Sequence, residues 1–174
     1  MTTQEQLLKW LCYALGVLPV WLAETQILNR VPLLGVIPVL LPLAAVAVAL
    51  WEGVRYGAAF GLCVGLIADA TYPGAPGGMT LGLCLMGFIT GAVSQYGVRQ
   101  TFVGYAMCAG VSMGLMELAR VGWSLFTHLG PLDAVILVAL KEGLWSLCFI
   151  PLIYPLFKFI SSKVGSLQGG GAYG

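Results

Sequence analysis

Residues 56–69 read YGAAFGLCVGLIAD, and this stretch decides the fold. Gly57, Gly61, Gly65 and Asp69 follow one another at four-residue spacing, so on an α-helix they share one face. Each such glycine would cost a soluble helix roughly 1 kcal/mol relative to alanine. In a lipid bilayer, a groove without side chains instead lets a second helix approach closely. The stretch therefore predicts a transmembrane helix whose packing groove ends in a carboxylate.

Glycines at helical spacing recur in two later apolar stretches of the chain. We predict that they line packing grooves of the same kind, because their backgrounds are also apolar and small residues favour close helix contacts in lipid. These residues are Gly82, Gly87 and Gly91 in one stretch, and Gly110 and Gly114 in the other.

The composition indicates an integral membrane protein. Of the 174 residues, 59% are hydrophobic and 9% are charged, whereas a soluble domain carries about 25% charged residues. The formal net charge of +1 without a basic run argues against nucleic acid as a partner. The five cysteines lie singly in apolar runs, so we expect neither a metal site nor a redox cofactor. No hydrolytic or phosphate-binding motif occurs, and we expect the protein not to be an enzyme.

Apolar runs between short polar breaks predict six transmembrane helices in one domain, residues 1–160. Pro38 and Pro42 are expected to kink the second helix, and Pro151 and Pro155 to break the sixth. Residues 161–174 are rich in Gly and Ser and are expected to form a flexible cytoplasmic tail. The six predicted spans are about 6–28, 32–51, 56–72, 79–97, 101–127 and 134–160.

The distribution of basic residues predicts that both termini lie in the cytoplasm. With six spans, Arg30 is the one basic loop residue on the outer side. Short cytoplasmic loops of membrane proteins carry an excess of Lys and Arg. The residues that this orientation places inside are Lys9, Arg55, Arg99, Lys158 and Lys163.

Five ionisable residues fall in the interior of the third, fifth and sixth predicted spans, all in the outer half of the bilayer. Such groups are costly in hydrocarbon and mark candidate functional sites. Two interpretations stay open: the charges neutralise one another and hold three helices together, or they line a polar pocket that opens outward. The five residues are Asp69, Glu117, Arg120, Lys141 and Glu142.

Residues 52–100 resemble the central signature of the MreD family, the bacterial rod-shape-determining membrane proteins. The signature combines glycines at four-residue spacing and Asp69 with a Pro/Gly turn and a second glycine-rich helix around Gly87-Phe88. The closing PLIYPLFKFI, residues 151–160, is similar to the last helix of the family. The resemblance implies a non-enzymatic scaffold of the cell-wall elongation complex in the cytoplasmic (inner) membrane. It also implies MreC as direct partner, with MreB, RodA and a penicillin-binding protein reached through the complex.

A second family is similar in the same stretch. The substrate-binding S subunits of energy-coupling-factor vitamin transporters use a comparable Gly-x3-Gly-x3-Asp helix followed by a Pro/Gly turn. The resemblance therefore implies an all-α fold of six transmembrane helices like that of the S subunits. It leaves two other functions open: capture of a vitamin by an S subunit, and a small ion-coupled carrier.

Overall fold

A computed structural model of the protein describes residues 3–28, 30, 36–71, 77–95, 101–127 and 132–169. Within these ranges the chain is mostly helical and forms no β-strand. The first helix ends in a π-helical segment, Ala23–Leu28. The α-helices of the described ranges are α1 (Thr3–Leu22), α2 (Leu41–Glu52), α3 (Val54–Thr71), α4 (Gly78–Gln95), α5 (Phe102–Thr127), α6 (Leu132–Leu147) and α7 (Ile150–Gly169).

Several of these helices can cross a membrane, as expected of a multi-pass membrane protein. Four spans within the described ranges are long and apolar enough, and α6 and α7 together would add a fifth. The sequence predicted six, and the difference lies in α2, which has 12 residues. A helix of that length is about 18 Å long, shorter than the roughly 30 Å hydrocarbon core. The four spans are Leu7–Gln26, Val54–Thr71, Gly78–Gln95 and Phe102–Leu125.

Helix α2 forms the centre of the bundle. Every residue from Leu41 to Leu50 is buried, and α2 contacts α1, α3, α4, α5 and α7. A helix that is apolar all round is suited to such a position. Its end is fixed by Gly53, whose φ of 82° is a conformation that glycine adopts without strain.

The prolines of the second predicted span break the helix instead of kinking it. Residues 37–40 are not helical, and α2 begins only at Leu41. Pro42 then lies in the first turn, where its missing N–H removes no helical hydrogen bond. The predicted residues 32–35 of this span lie outside the described ranges.

The sixth predicted span also differs from the structure. It consists of α6 and α7, which meet at a bend of 48°. The break falls at residues 148–149, so Pro151 lies in the first turn of α7, and Pro155 lies inside that helix. Helix α7 continues to Gly169. The predicted flexible tail therefore begins as helix, and residues 170–174 lie outside the described ranges.

Candidate functional site

Helices α3 and α4 pack with their backbones in contact along the predicted glycine groove. A methyl group at Gly57 would lie 2.6 Å from the carbonyl oxygen of Gly87. A methyl group at Gly61 would overlap the backbone of Leu83, and one at Gly65 would overlap that of Thr80. No side chain fits at these positions, so the glycines set the distance between the two helices.

The second glycine helix supplies the other side of the same interface. A methyl group at Gly87 would overlap the backbone of Gly57, and one at Gly91 would lie 2.6 Å from the backbone of Val54. Gly82 lies outside the groove and faces α5, where a methyl group would be in ordinary contact with Met116 at 3.6 Å. The groove thus runs along the side of α4 that carries Gly87 and Gly91.

Gly110 and Gly114 do not line a packing groove between the described helices. Among the described residues, no neighbouring atom lies within 4 Å of a methyl group built at either position, and Gly114 is exposed. Four-residue spacing defines a shared helix face but does not decide which face a neighbour covers. In α5, the covered face carries Tyr105, Ala109 and Met113 instead.

Asp69 closes the α3–α4 groove by capping α4. Its Oδ1 accepts a hydrogen bond from the Met79 amide at 3.1 Å, and its Oδ2 accepts one from the Thr80 amide at 3.0 Å. The Thr80 hydroxyl also donates to Oδ2. The first amides of a helix have no partner within it, and a carboxylate there is stabilised by the positive end of the helix dipole.

Asp69 therefore does not belong to the ionic cluster in which the sequence placed it. Depth in the membrane was the reason for grouping it with the charges of the fifth and sixth spans. The structure gives its carboxylate partners on α4, and no ion pair of Asp69 is found among the described residues. The amides at the start of α4 satisfy it because they lie at the end of the same groove.

A cluster of three charged side chains joins α5 to α6. Arg120 Nη2 lies 2.5 Å from Glu142 Oε2 and donates a hydrogen bond to it. The same nitrogen lies 2.9 Å from Glu117 Oε2, but at an angle that makes no hydrogen bond. The exposed fractions of these side chains are 8% for Glu142, 17% for Glu117 and 45% for Arg120. One cation and two carboxylates give the cluster a formal charge of −1.

Lys141 does not join this cluster. It is half-buried on α6, and the described residues include no ion-pair partner for it. Neighbouring positions on a helix point about 100° apart, so Lys141 and Glu142 face different directions. Of the five predicted residues, Glu117, Arg120 and Glu142 come together, while Asp69 and Lys141 lie elsewhere.

A second charged cluster, not predicted from the sequence, joins α1 to α2. Lys9 and Glu52 form an ion pair in which each side chain is 10% exposed. The Tyr13 hydroxyl donates a hydrogen bond to Glu52 Oε1 at 2.6 Å, and the Lys9 ammonium lies 4.7 Å from the centre of the Tyr56 ring. The available signal was that Lys9 lies near the start of the first predicted span and Glu52 just after the second, so both lie on the same predicted side of the membrane.

Glu24 is a buried carboxylate near the end of the first predicted span. Its Oε2 accepts hydrogen bonds from the amides of Leu40 and Leu41, at 3.2 and 3.1 Å. The hydroxyl of Ser146 accepts one from the Val39 amide at 3.0 Å. These two side chains satisfy backbone groups where the chain enters α2, so both have a structural role. A carboxylate of the protein thus already occupies the positive end of the central helix.

The described residues offer no arrangement typical of catalysis by a metal. No three His, Cys, Asp or Glu side chains in the described ranges come together as possible ligands. The five cysteines are free thiols. Comparisons of the chain with protein-family profiles, with curated proteins and with solved structures found no match.

Proposed function

We propose that the protein is a non-enzymatic scaffold of the MreD type. The observation that carries the proposal is the use of the signature residues in the α3–α4 hairpin. Gly57, Gly61 and Gly65 hold the two backbones in contact, and Asp69 caps α4. These signature residues all stabilise the packing of α3 on α4. Such a use suits a protein whose function is to present a fixed helical surface.

We further propose six membrane spans, with the second formed by the non-helical residues 37–40 together with α2. The helix contributes about 18 Å of the roughly 30 Å hydrocarbon thickness, and the non-helical residues contribute part of the rest. The contacts at both ends of α2 support this arrangement. Glu24, after α1, binds the start of α2, and Lys9, early in α1, pairs with Glu52 at its end. Helices α1 and α2 are therefore antiparallel, as consecutive spans are.

Six spans and the excess of basic residues on one side support an orientation with both termini in the cytoplasm. In this orientation the start of α4 and the end of α5 face outward. The resemblance supports a location in the bacterial inner membrane with MreC as the direct partner. MreB, RodA and a penicillin-binding protein belong to the same complex through MreC.

The α5–α6 cluster favours a second candidate function, the S subunit of a vitamin transporter. Arg120 is the most exposed member of the cluster and lies in the predicted outer half of the membrane. A guanidinium in that position could bind a polar group of a small molecule that enters from outside. This candidate requires a ligand that binds the purified protein.

A thermal unfolding experiment separates the two functions. The purified protein is heated alone and with each member of a panel of vitamins, with a known S subunit and its vitamin as positive control. Ligand at 100 times its Kd stabilises a protein by about 2.7 kcal/mol. The scaffold function predicts an unchanged melting temperature with every vitamin. A saturable increase with one vitamin would favour the S-subunit function.

A further inference from the structure

Glu117 is a carboxylate on α5 that has one buried oxygen without a hydrogen-bond donor. It lies inside a segment that is long and apolar enough to span a membrane. Its Oε2 is buried and accepts no hydrogen bond from the described residues. Its side chain packs against α6, since a methyl group at Gly143 would lie 3.9 Å from Glu117 Cγ. An ionised oxygen in such a place has lost its water without gaining a donor, which costs free energy.

Glu117 and Glu142 compete for one cation. Arg120 Nη2 lies 2.5 Å from Glu142 Oε2 and 2.9 Å from Glu117 Oε2, and its hydrogen bond goes to Glu142. Both carboxylate oxygens are therefore close to the same nitrogen and to each other. When two carboxylates share one buried site, the repulsion between their charges favours a state in which one of them carries a proton.

The charged residues of α2 and α7, two other helices that pack on α5, are far from this cluster or already paired. In α2, Glu52 pairs with Lys9. In α7, Lys158 lies over the ring of Tyr154, and that ring contacts Phe102 in the first turn of α5. This first turn is about 22 Å from the cluster along the helix. Helix α4 also packs on α5 and carries no charged residue. The charged residues of α2 and α7 are Glu52, Lys158 and Lys163.

Within α6, Glu142 is the charged residue that faces Glu117. Asp133 lies about 13 Å from Glu142 along the helix. Lys141 points about 100° away from Glu142 and forms no ion pair in the described part of the chain. The described helices therefore supply no second cation that would balance the two carboxylates.

A metal ion fits this cluster less well than a proton. A hard cation such as Ca²⁺ requires six or more oxygen ligands, whereas the described ranges bring no three acidic, His or Cys side chains together. The guanidinium beside both carboxylates would also repel a metal cation. A proton requires only one oxygen atom.

We propose that the α5–α6 cluster binds one proton, shared by Glu117 and Glu142. The proton comes from water and forms an O–H bond with one carboxylate oxygen, which thereby becomes a hydrogen-bond donor. The cluster is then neutral, with one carboxylic acid, one carboxylate and one guanidinium. Loss of the proton leaves a negative charge between α5 and α6, so the contact between these helices weakens as the pH rises.

Infrared spectroscopy tests for this proton directly, because the C=O stretch of a carboxylic acid is separate from the bands of a carboxylate. The purified full chain is measured in lipid at about pH 7, together with Glu117→Gln, Glu142→Gln and Asp133→Asn. In either glutamine variant, the remaining glutamate is ionised and pairs with Arg120. We expect the band of one carboxylic acid to disappear in both glutamine variants. It persists in Asp133→Asn, which alters an exposed carboxylate of α6.

Two infrared results would contradict the proposal. Identical carboxylic-acid bands in the wild type and in both glutamine variants would mean that both glutamates are ionised. Loss of the band in only one variant would assign the proton to that glutamate alone, and the proton would not be shared. None of these measurements involves MreC, so their failure leaves the scaffold function untouched.

The pH dependence of unfolding is a second readout. An unfolded glutamate loses its proton near about pH 4.3, so above that pH only the folded protein holds the proposed proton. The unfolding constant of the wild type is then expected to rise about tenfold for each pH unit until the folded cluster releases the proton. Glutamine is neutral at every pH. Glu117→Gln is therefore expected to match the wild type at acidic pH and to become more stable than the wild type as the pH rises.

The sign of this difference decides between a bound proton and a simple ion pair. If Glu117 is ionised and stabilises the fold through Arg120, Glu117→Gln is less stable than the wild type at neutral pH. Melting temperatures measured in detergent from acidic to alkaline pH show which sign holds, and a less stable variant at neutral pH would overturn the proposal.

Replacement of Na⁺ by choline at constant ionic strength separates a proton from a metal cation. We expect the melting temperature of the wild type to stay unchanged in this replacement. A saturable stabilisation by Na⁺ that Glu117→Gln lacks would mean that a metal cation occupies the cluster, and the proton site would be wrong.

Discussion

A carboxylate in an apolar helix needs hydrogen-bond donors, and Asp69 has three of them at the start of α4. Two are backbone amides that would otherwise have no partner, so the carboxylate and the helix end stabilise each other. The sequence identified Asp69 as important, but from depth alone it assigned the wrong partners. The partners of Asp69 lie 10 and 11 residues further along the chain. They can be identified only when the packing of α3 on α4 is known.

Asp69→Ala is expected to lower the free energy of unfolding by about 1–2 kcal/mol, as loss of a helix cap does. The melting temperature of the purified protein in detergent is the measurement. Asp133→Ala is the matched control, because Asp133 is an exposed carboxylate in the first turn of α6. An equal loss of stability in both variants would contradict the role of Asp69 as the cap of α4.

The Lys9–Glu52 pair gives a second prediction at this scale. Lys9→Met alone leaves Glu52 buried without its cation, which costs about 3–5 kcal/mol in comparable pairs. The double variant Lys9→Met, Glu52→Gln removes both charges and is expected to recover much of that loss. Thermal unfolding of Lys9→Met, of Glu52→Gln and of the double variant gives a double-mutant cycle. Strictly additive losses would mean that the two side chains do not interact.

At the scale of elements, the α3–α4 hairpin is the part that the sequence predicted best. The glycines of α3 and those of α4 line the same interface. Gly57 and Gly87, for example, bring the two backbones into contact. The same pattern failed in α5, where Gly110 and Gly114 face open space. Four-residue glycine spacing predicts a groove on a helix. Whether a neighbouring helix fills that groove depends on how the rest of the bundle packs.

Leucine substitutions compare a filled groove with an open one. Gly61→Leu is expected to destabilise the protein by about 1–3 kcal/mol or more, because the backbone of α4 occupies the space. Gly114→Leu places the same side chain in open space on α5 and is expected to leave stability unchanged or slightly higher. Thermal unfolding in detergent measures both. Similar melting temperatures for the two variants would contradict the role of the groove.

Helix α2 is the element that sequence patterns described least well. Its run of apolar residues was expected to form one continuous membrane span kinked by two prolines, whereas the structure has a 12-residue helix that is buried by its neighbours. The actual start at Leu41 depends on Glu24 and Ser146, which lie on other helices. Such contacts between distant parts of the chain leave no periodic signal in the sequence.

For the whole molecule, composition was enough to predict an all-helical membrane protein, and the described ranges agree. The number of spans was harder, because α2 is short and α6 and α7 are bent relative to each other. Hydropathy measures whether a segment is apolar and cannot distinguish a span from a helix buried by its neighbours. The antiparallel order of α1 and α2 rests instead on two pairs of contacts.

The proposed topology predicts that both ends of the chain are cytoplasmic. Single cysteines are placed at Ser162, an exposed position on α7, and at Gly74, in a cysteine-free background. An impermeant thiol reagent added to intact cells is expected to label position 74 and not position 162. The reverse labelling pattern would mean that the protein has the opposite orientation in the membrane. Labelling at both positions would place the loop and the C-terminal helix on one side.

The most direct test of the scaffold function is association with MreC. The full chain carrying an affinity tag is expressed with untagged MreC, and the complex is purified from detergent-solubilised membranes. We expect MreC to co-purify in a fixed ratio and to remain bound through size-exclusion chromatography. A Gly61→Leu variant that still reaches the membrane is expected to retain less MreC, because the α3–α4 hairpin is distorted. Absence of MreC from the purified wild-type protein would contradict the account.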